Sequence, residues 1–216
     1  MGMPAPLTSS TLLRAVAELT ARDACLARIA SDCGTPPLWE REPGFPTLLH
    51  TIPEQQVSLA SARAAFEKLL AIAAPLTPER FLALNDAELK AVGFSRQKTR
   101  YGRELAGAIV AGRIDLEQLQ TLTDDEARRA LTRITGIGSW TADIYLLLAL
   151  RRPDIWPAGD LALATAVRQA LELDAIPTPS RMEEIADAWR PWRAAAARLL
   201  WHYYLSRRAG SARTPR

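Results

Sequence analysis

Two short stretches of this 216-residue chain carry residues that could do chemistry. The first is Asp160, which follows Pro157 and Gly159 and opens the apolar run Leu161-Ala162-Leu163-Ala164, the position of a helix N-cap. A capping carboxylate stabilises its helix by about 0.5–2 kcal/mol. Helix amides also keep it ionised, so it can stabilise positive charge that develops in front of it. The nearest rival, Asp154 in Arg151-Arg152-Pro153-Asp154, reads as a structural turn residue with arginine partners.

The second stretch is Gly136-Ile137-Gly138, between two apolar segments, Thr123 to Ile134 and Ser139 to Leu150. This predicts a helical hairpin, with Trp140, Ile144, Leu147 and Leu148 on one side of its second helix. Glycines at both ends of the turn permit positive φ and the close approach of another backbone. The second helix then presents amide N–H groups and partial positive charge outward, a setting suited to a DNA phosphate. On the glycines alone, an ordinary glycine-stopped helix connection accounts for the pattern equally well.

The elements that must position these groups are helical throughout, because apolar residues recur at helical spacing along nearly the whole chain. Caps at Ser9-Ser10-Thr11, Thr77-Pro78-Glu79, Asn85-Asp86, Thr123-Asp124-Asp125-Glu126 and Thr178-Pro179-Ser180 mark starts, and Gly93, Gly112 and Gly136 mark stops. Cys33 to Pro53 holds five of the fifteen prolines and predicts a loop joining an N-terminal helix to the main bundle. The tail from Arg207 to Arg216, with four arginines and no acid, predicts a frayed basic end.

Composition narrows the function classes. Hydrophobic content of 48% supports a real core, in one domain or two small lobes. The net charge is only +3, so a nucleic-acid partner requires the cations to gather on one face. Two cysteines, Cys25 and Cys33, are too few for a four-cysteine iron–sulfur cluster, and His50 and His202 lie far from them, so no metal or other cofactor is expected. Lysine occurs only at Lys68, Lys90 and Lys98. The N-terminus lacks a signal-peptide core, and the longest apolar stretch, Ile144 to Leu150, is far short of the roughly 20 residues of a membrane helix. A soluble, cytoplasmic, DNA-associated monomer is expected.

Gly-Ile-Gly-Ser-Trp-Thr-Ala at 136–142, followed by Arg-Pro-Asp-Ile-Trp-Pro-Ala-Gly-Asp at 152–160, resembles the helix-hairpin-helix DNA glycosylases, most of all the 3-methyladenine DNA glycosylase II type. Supporting blocks stand at 52–60, 93–99 and 190–193, so the resemblance covers about residues 45 to 205. It implies an all-α, two-lobed fold with the active-site cleft between the lobes. One lobe is expected over 55–160, with the hairpin at 123–150, and the other over 9–54 plus 161–208, leaving 209–216 as the tail. The resemblance implies a partner, double-stranded DNA with alkylated bases, and excision of purines such as 3-methyladenine or 7-methylguanine.

By the same resemblance Asp160 is the catalytic aspartate. Trp140 and Trp201 line the base pocket, with Tyr145, Leu161 and His202 beside them. Gly136, Ile137, Gly138, Ser139 and Thr141 bind DNA, as do Ser95 and Lys98 in the Ser95-to-Arg100 clamp. Gln55-Gln56 stands at the wedge position, with Gln56 entering the base stack. A monovalent cation at the hairpin backbone is the one ion the resemblance allows. An electron-rich aromatic pocket suits a cationic base, with cation–π attraction of about 0.5–2 kcal/mol. Bifunctional relatives carry a Schiff-base lysine in the hairpin, where this chain has Trp140, which predicts hydrolysis without strand cleavage. The chain departs from the enterobacterial type at Ile144, in place of a tyrosine, and at Leu161-Ala162 and His202, which predicts a more open pocket. A non-catalytic protein using the same hairpin to bind damaged or structured DNA is the alternative. An adenine-mismatch or oxidised-base glycosylase is disfavoured by the cysteine count and the missing hairpin lysine.

Overall fold

The computed structural model describes residues 5–54 and 59–211, and among them every regular element is helical. The chain divides into two compact units, Arg41–Leu150 and the flanking segments Gly2–Glu40 with Arg151–Arg216. We call them the hairpin lobe and the carboxylate lobe.

The hairpin lobe contains α3 (Phe45–Glu54), α4 (Leu59–Ala73), α5 (Pro78–Ala83), α6 (Asp86–Ala91), α7 (Arg96–Val110), α8 (Asp124–Thr132) and α9 (Ser139–Leu148). Thr77, Asn85, Ser95 and Thr123 cap α5 to α8 through side-chain acceptors, because their short oxygens reach amides that the first helical turn leaves without backbone partners. The helix α9 is buried on all sides from Thr141 to Leu148, where the sequence pattern predicted one buried face. An all-round apolar helix belongs at the centre of a lobe, and α3 and α8 pack on it.

The hairpin helices are also tied by charge. Arg128 Nε of α8 donates to Asp143 Oδ1 of α9 at 2.7 Å, and Arg128 pairs with Asp125 at 2.9 Å. Burial opposes the Arg128 charge, but Asp143, Asp125 and Asp124 outweigh it and raise its pKa.

The carboxylate lobe contains α1 (Ser9–Arg22), α2 (Ala24–Cys33), α10 (Leu161–Ala170), α11 (Pro179–Ala186) and α12 (Arg193–Ser211). Ala194 to Ala197 are fully buried, and their small side chains let α12 lie close against α10, α2 and α1. Trp156 and Trp189 meet edge to face at 5.3 Å in this core, and Trp189 Nε1 donates to Asp23 Oδ2. Asp154 is structural, as its sequence setting suggested, but its partners are Arg190 and Arg193 rather than its neighbours Arg151 and Arg152.

Two boundaries differ from expectation. Phe45 to Glu54 is a helix of the hairpin lobe, although its prolines suggested a loop. Pro46 sits in the first turn, which needs no amide donor, and Pro53 falls at the end, while Phe45, Leu48, Leu49 and Ile52 bury one face. The lobes therefore change at Glu40/Arg41 rather than at residues 54 and 55, and the second change comes at Leu150/Arg151, which puts Asp160 in the carboxylate lobe.

Candidate active site and nucleic-acid interface

The hairpin turn is shaped by two glycines with different jobs. Gly136 has φ +97°, and a Cβ there would lie 2.2 Å from Tyr101 Cγ, so both backbone and neighbour exclude a side chain. Gly138 has φ −85° and ψ 176°, open to any residue, and a Cβ there would meet nothing within 4 Å. Among the described residues nothing requires glycine at 138. It is the N-cap of α9 and brings no side-chain acceptor to that helix start.

Around the turn the expected DNA contacts separate into two groups. Gly138 and Ser139 are exposed, and Gly136 and Trp140 are half-buried. Ile137 is 4% exposed and donates its N–H to Ile134 O at 3.0 Å, and Thr141 is buried among the core helices. These two residues support the hairpin from inside, Ile137 through the turn closed by its bond to Ile134 and Thr141 through its place on the buried part of α9, and their side chains do not form its outer surface. Ser95 caps α7, accepting from Lys98 N at 3.3 Å, and Lys98 is half-buried. Gln55 and Gln56 lie outside the described residues.

The carboxylate is built by local and distant donors together. Asp160 caps α10 with Oδ1 accepting from Leu163 N at 2.7 Å, and Trp201 Nε1 of α12 donates to the same oxygen at 3.1 Å. The side chain is half-buried, and the following residue, Leu161, is 69% exposed. Trp201, expected to line a pocket, thus also fixes the rotamer of the carboxylate. The arrangement places an oriented negative charge at a partly dry helix start, able to stabilise a cation in front of it.

Next to Trp201, His202 Nε2 bonds Cys33 O at 2.8 Å and its ring meets Trp39 at 6.3 Å. Arg198, fully buried one turn earlier, donates Nε to Leu38 O at 2.8 Å, and burial lowers its pKa to about 10. Trp39, held between these contacts with φ +48°, is half-buried and was missed in the sequence. The only sequence cue was a tryptophan in a proline-rich segment. Tyr145 is displaced from its expected place: it is 1% exposed, within the hairpin-lobe core, and its hydroxyl accepts from Gly44 N at 3.0 Å. It lies within the stretch of α9 from Thr141 to Leu148 that is buried on every side.

No group of three metal-ligating side chains lies together among the described residues. At the hairpin backbone, where a monovalent cation was expected, the carbonyls of Ile134 and Gly138 already accept from Ile137 and Ala142, and no step below uses a cation. Among the described residues no helix is long and apolar enough to cross a membrane.

These features have counterparts in known proteins. The model of the HhH-GPD superfamily of base excision DNA repair proteins matches residues 49–191. The DNA-3-methyladenine glycosylase 1 of Schizosaccharomyces pombe is 31% identical over 166 residues, 75% of this chain and 73% of that protein. The DNA-3-methyladenine glycosylase 2 of Escherichia coli is 27% identical over 128 residues, 58% of this chain and 42% of that protein. The solved structure of the S. pombe 3-methyladenine DNA glycosylase in complex with abasic DNA is similar with a TM-score of 0.79 at 28% identity, over 87% of this chain and 95% of that one. A DNA-3-methyladenine glycosidase of Bacillus halodurans is similar with a TM-score of 0.76 at 25% identity, over 94% and 93%. With its family model matched from α3 through α11 and its hairpin and capping carboxylate in place, the chain belongs to the HhH-GPD superfamily of base excision DNA repair proteins.

Proposed function

We propose that this protein is a monofunctional DNA N-glycosylase that flips alkylated purines, of the 3-methyladenine and 7-methylguanine type, out of duplex DNA and hydrolyses their N-glycosidic bond. The observation that carries the reading is Asp160, oriented by Leu163 N–H and Trp201 Nε1–H in a chain of this superfamily.

Removing a base from the stack costs a few kcal/mol, least for a damaged or mispaired nucleotide. The hairpin supplies the grip, with the amides of the α9 start and the bare backbone of Gly138 meeting a phosphate, and Gln56 fills the vacated space. When the C1′–N bond breaks, its electron pair leaves with the base, and an alkylated, cationic base departs neutral. The sugar approaches an oxocarbenium ion, which the Asp160 carboxylate stabilises by charge. Water then attacks C1′ and loses its proton to Asp160 or to solvent, leaving an abasic site. Trp201, with Leu161 and His202, offers the carboxylate lobe's wall for the cationic base. A wall leucine explains why Leu161 stays exposed at the helix start. Trp140 replaces the amine that a Schiff-base route needs, so the strand is left uncut.

The test uses methylated duplex DNA with wild-type protein and Asp160→Asn, measuring released bases and strand breaks before alkali treatment. Wild type is expected to release methylated purines without breaks, and Asp160→Asn to lose at least about 100-fold of the rate, the scale of one electrostatic group. Release that survives Asp160→Asn sinks the assignment. DNA binding without release by wild type favours a non-catalytic binder, and breaks before alkali overturn the monofunctional reading.

A further inference from the structure

We propose that Trp39 is a recognition residue for the extruded cationic purine, and that the segment Cys33–Glu40 is built to hold its indole beside His202; the inference rests on the reading of this protein as an alkylpurine glycosylase. Trp39 lies ahead of residues 49–191, the part matched by the superfamily model.

The backbone of Trp39 adopts a conformation that its side chain disfavours. Its φ is +48°, in the left-handed region, where bulky residues are rare and persist only when their surroundings fix them. Bonds on either side do so. Arg198 Nε of α12 donates to Leu38 O, on the residue before, at 2.8 Å, and Arg151 pairs with Glu40, on the residue after, at 3.0 Å. At the start of the segment Cys33 O meets His202 Nε2 at 2.8 Å, and because a carbonyl only accepts, the imidazole donates there. Arg198 is fully buried, a costly place for a guanidinium, and it also donates to Ala194 O.

This anchoring fixes the ring without burying it. The core tryptophans Trp156 and Trp189 are 1% and 3% exposed, whereas Trp39 is half-buried. Trp189, Trp192 and Trp201 each donate the indole N–H to a carboxylate, of Asp23, Glu18 and Asp160. Trp39 Nε1 donates to no acceptor among the described residues and is not cut off from solvent. A ring held in a strained conformation yet left open is arranged for a partner from outside the chain.

The chemistry of that partner follows from what adjoins the ring. Trp39 meets His202 edge to face at 6.3 Å, and the neighbouring Trp201 donates to Asp160 Oδ1 at 3.1 Å. The aromatic side chains of the carboxylate lobe thus run from Trp201 through His202 to Trp39, with the carboxylate at one end. Negative charge and indole faces both attract a cation, and an alkylated purine is a flat cation that also stacks. This attraction acts on the bound lesion and fades as the base departs neutral, so it favours capture of the lesion rather than the rate of cleavage.

The experiment measures single-turnover release from a duplex carrying 7-methylguanine, giving the half-saturating protein concentration and the plateau rate, together with equilibrium binding to the same duplex without the lesion. Trp39→Leu is expected to raise the half-saturating concentration about tenfold and Trp39→Phe about threefold, while lesion-free affinity stays within about twofold of wild type. The plateau rate is expected to hold or rise. Trp39→Phe keeps a ring in place, so its rise carries the test if Trp39→Leu fails to fold. Wild-type half-saturation in both variants overturns the inference, as do a Trp39→Leu value no higher than that of Trp39→Phe and equal weakening on the two duplexes. A lower plateau rate at unchanged half-saturation overturns it too, because that loss comes through the fold rather than at the base. Absence of release by wild type sinks the glycosylase reading and this inference with it, whereas wild-type release combined with any of the other outcomes overturns the inference alone.

Discussion

The two helix starts that matter here, α9 in the hairpin lobe and α10 in the carboxylate lobe, use one physical device for opposite purposes. Both present the amides and partial positive charge of a helix N-terminus. At α9 the cap is Gly138, which brings no side chain, so an anion from outside can take the place of a cap. At α10 the cap is Asp160, whose carboxylate takes the amide of Leu163 and the indole N–H of Trp201 and presents negative charge instead. One atom group at one position therefore decides whether a helix start attracts a phosphate or a developing carbocation.

That contrast can be broken deliberately. Asp160→Asn removes charge but keeps the cap, because asparagine caps as well as aspartate, so it should cost at least about 100-fold in base release while stability shifts by under about 1 kcal/mol. Parallel rate and unfolding measurements separate the two; a large loss of stability would mean that the carboxylate serves the fold first. Gly138→Asp makes the reverse exchange. Its backbone suits a cap, so the unfolding midpoint should hold or rise by a few tenths of a kcal/mol, while DNA affinity falls more than about tenfold as like charges meet. Retained affinity in a binding titration would show that the phosphate sits elsewhere.

A smaller effect is expected from Trp201→Phe, which keeps the ring but deletes the hydrogen bond to Asp160. A charged-acceptor bond contributes about 1.5 kcal/mol, so single-turnover release should slow about tenfold, with Asp160→Asn/Trp201→Phe little worse than Asp160→Asn alone. Additive losses would instead assign Trp201 to base contact alone. The smallest effect distinguishes the lobes by pH. His50 in the hairpin lobe has its pKa lowered, first by burial, with Glu54 opposing and Arg41 and Arg63 assisting. The fold thus favours neutral imidazole, and this contribution is full above the ordinary value of 6.5 and lost as pH falls through the lower folded value. His50→Leu should flatten hairpin-lobe stability against pH below 6.5, read by unfolding at several pH values, and an unchanged profile would remove His50 as the cause.

Local chemistry was readable along the chain because it depends on near neighbours. Asp160 acts as a cap three residues from its amide partner, and Thr123 and Thr178 cap as expected for the same reason. The glycine turn was also visible, but the reasons for its two glycines were not. Gly136 is required by Tyr101, 35 residues away, whereas nothing among the described residues requires Gly138. Prolines in 43–53 suggested a loop, and the α3 helix exists because tertiary packing of Phe45, Leu48, Leu49 and Ile52 outweighs their breaking tendency. Tyr145 and Thr141, given pocket and DNA-contact roles by resemblance, are interior, since only the packed lobe reveals that α9 is covered on every side from Thr141 to Leu148.

By itself, then, the sequence determined the all-helical class, the hairpin, the helix cap at Asp160 and the absence of lysine after Lys98. Each is a property of adjacent residues or of composition. Tertiary structure decided that Trp201, 41 residues further on, orients the carboxylate, that Arg198 and His202 hold the segment bearing Trp39, and that Tyr101 lies against Gly136 at the hairpin turn. Those assignments depend on which faces of distant helices meet, and packing of whole faces, rather than the order of residues along one of them, sets that.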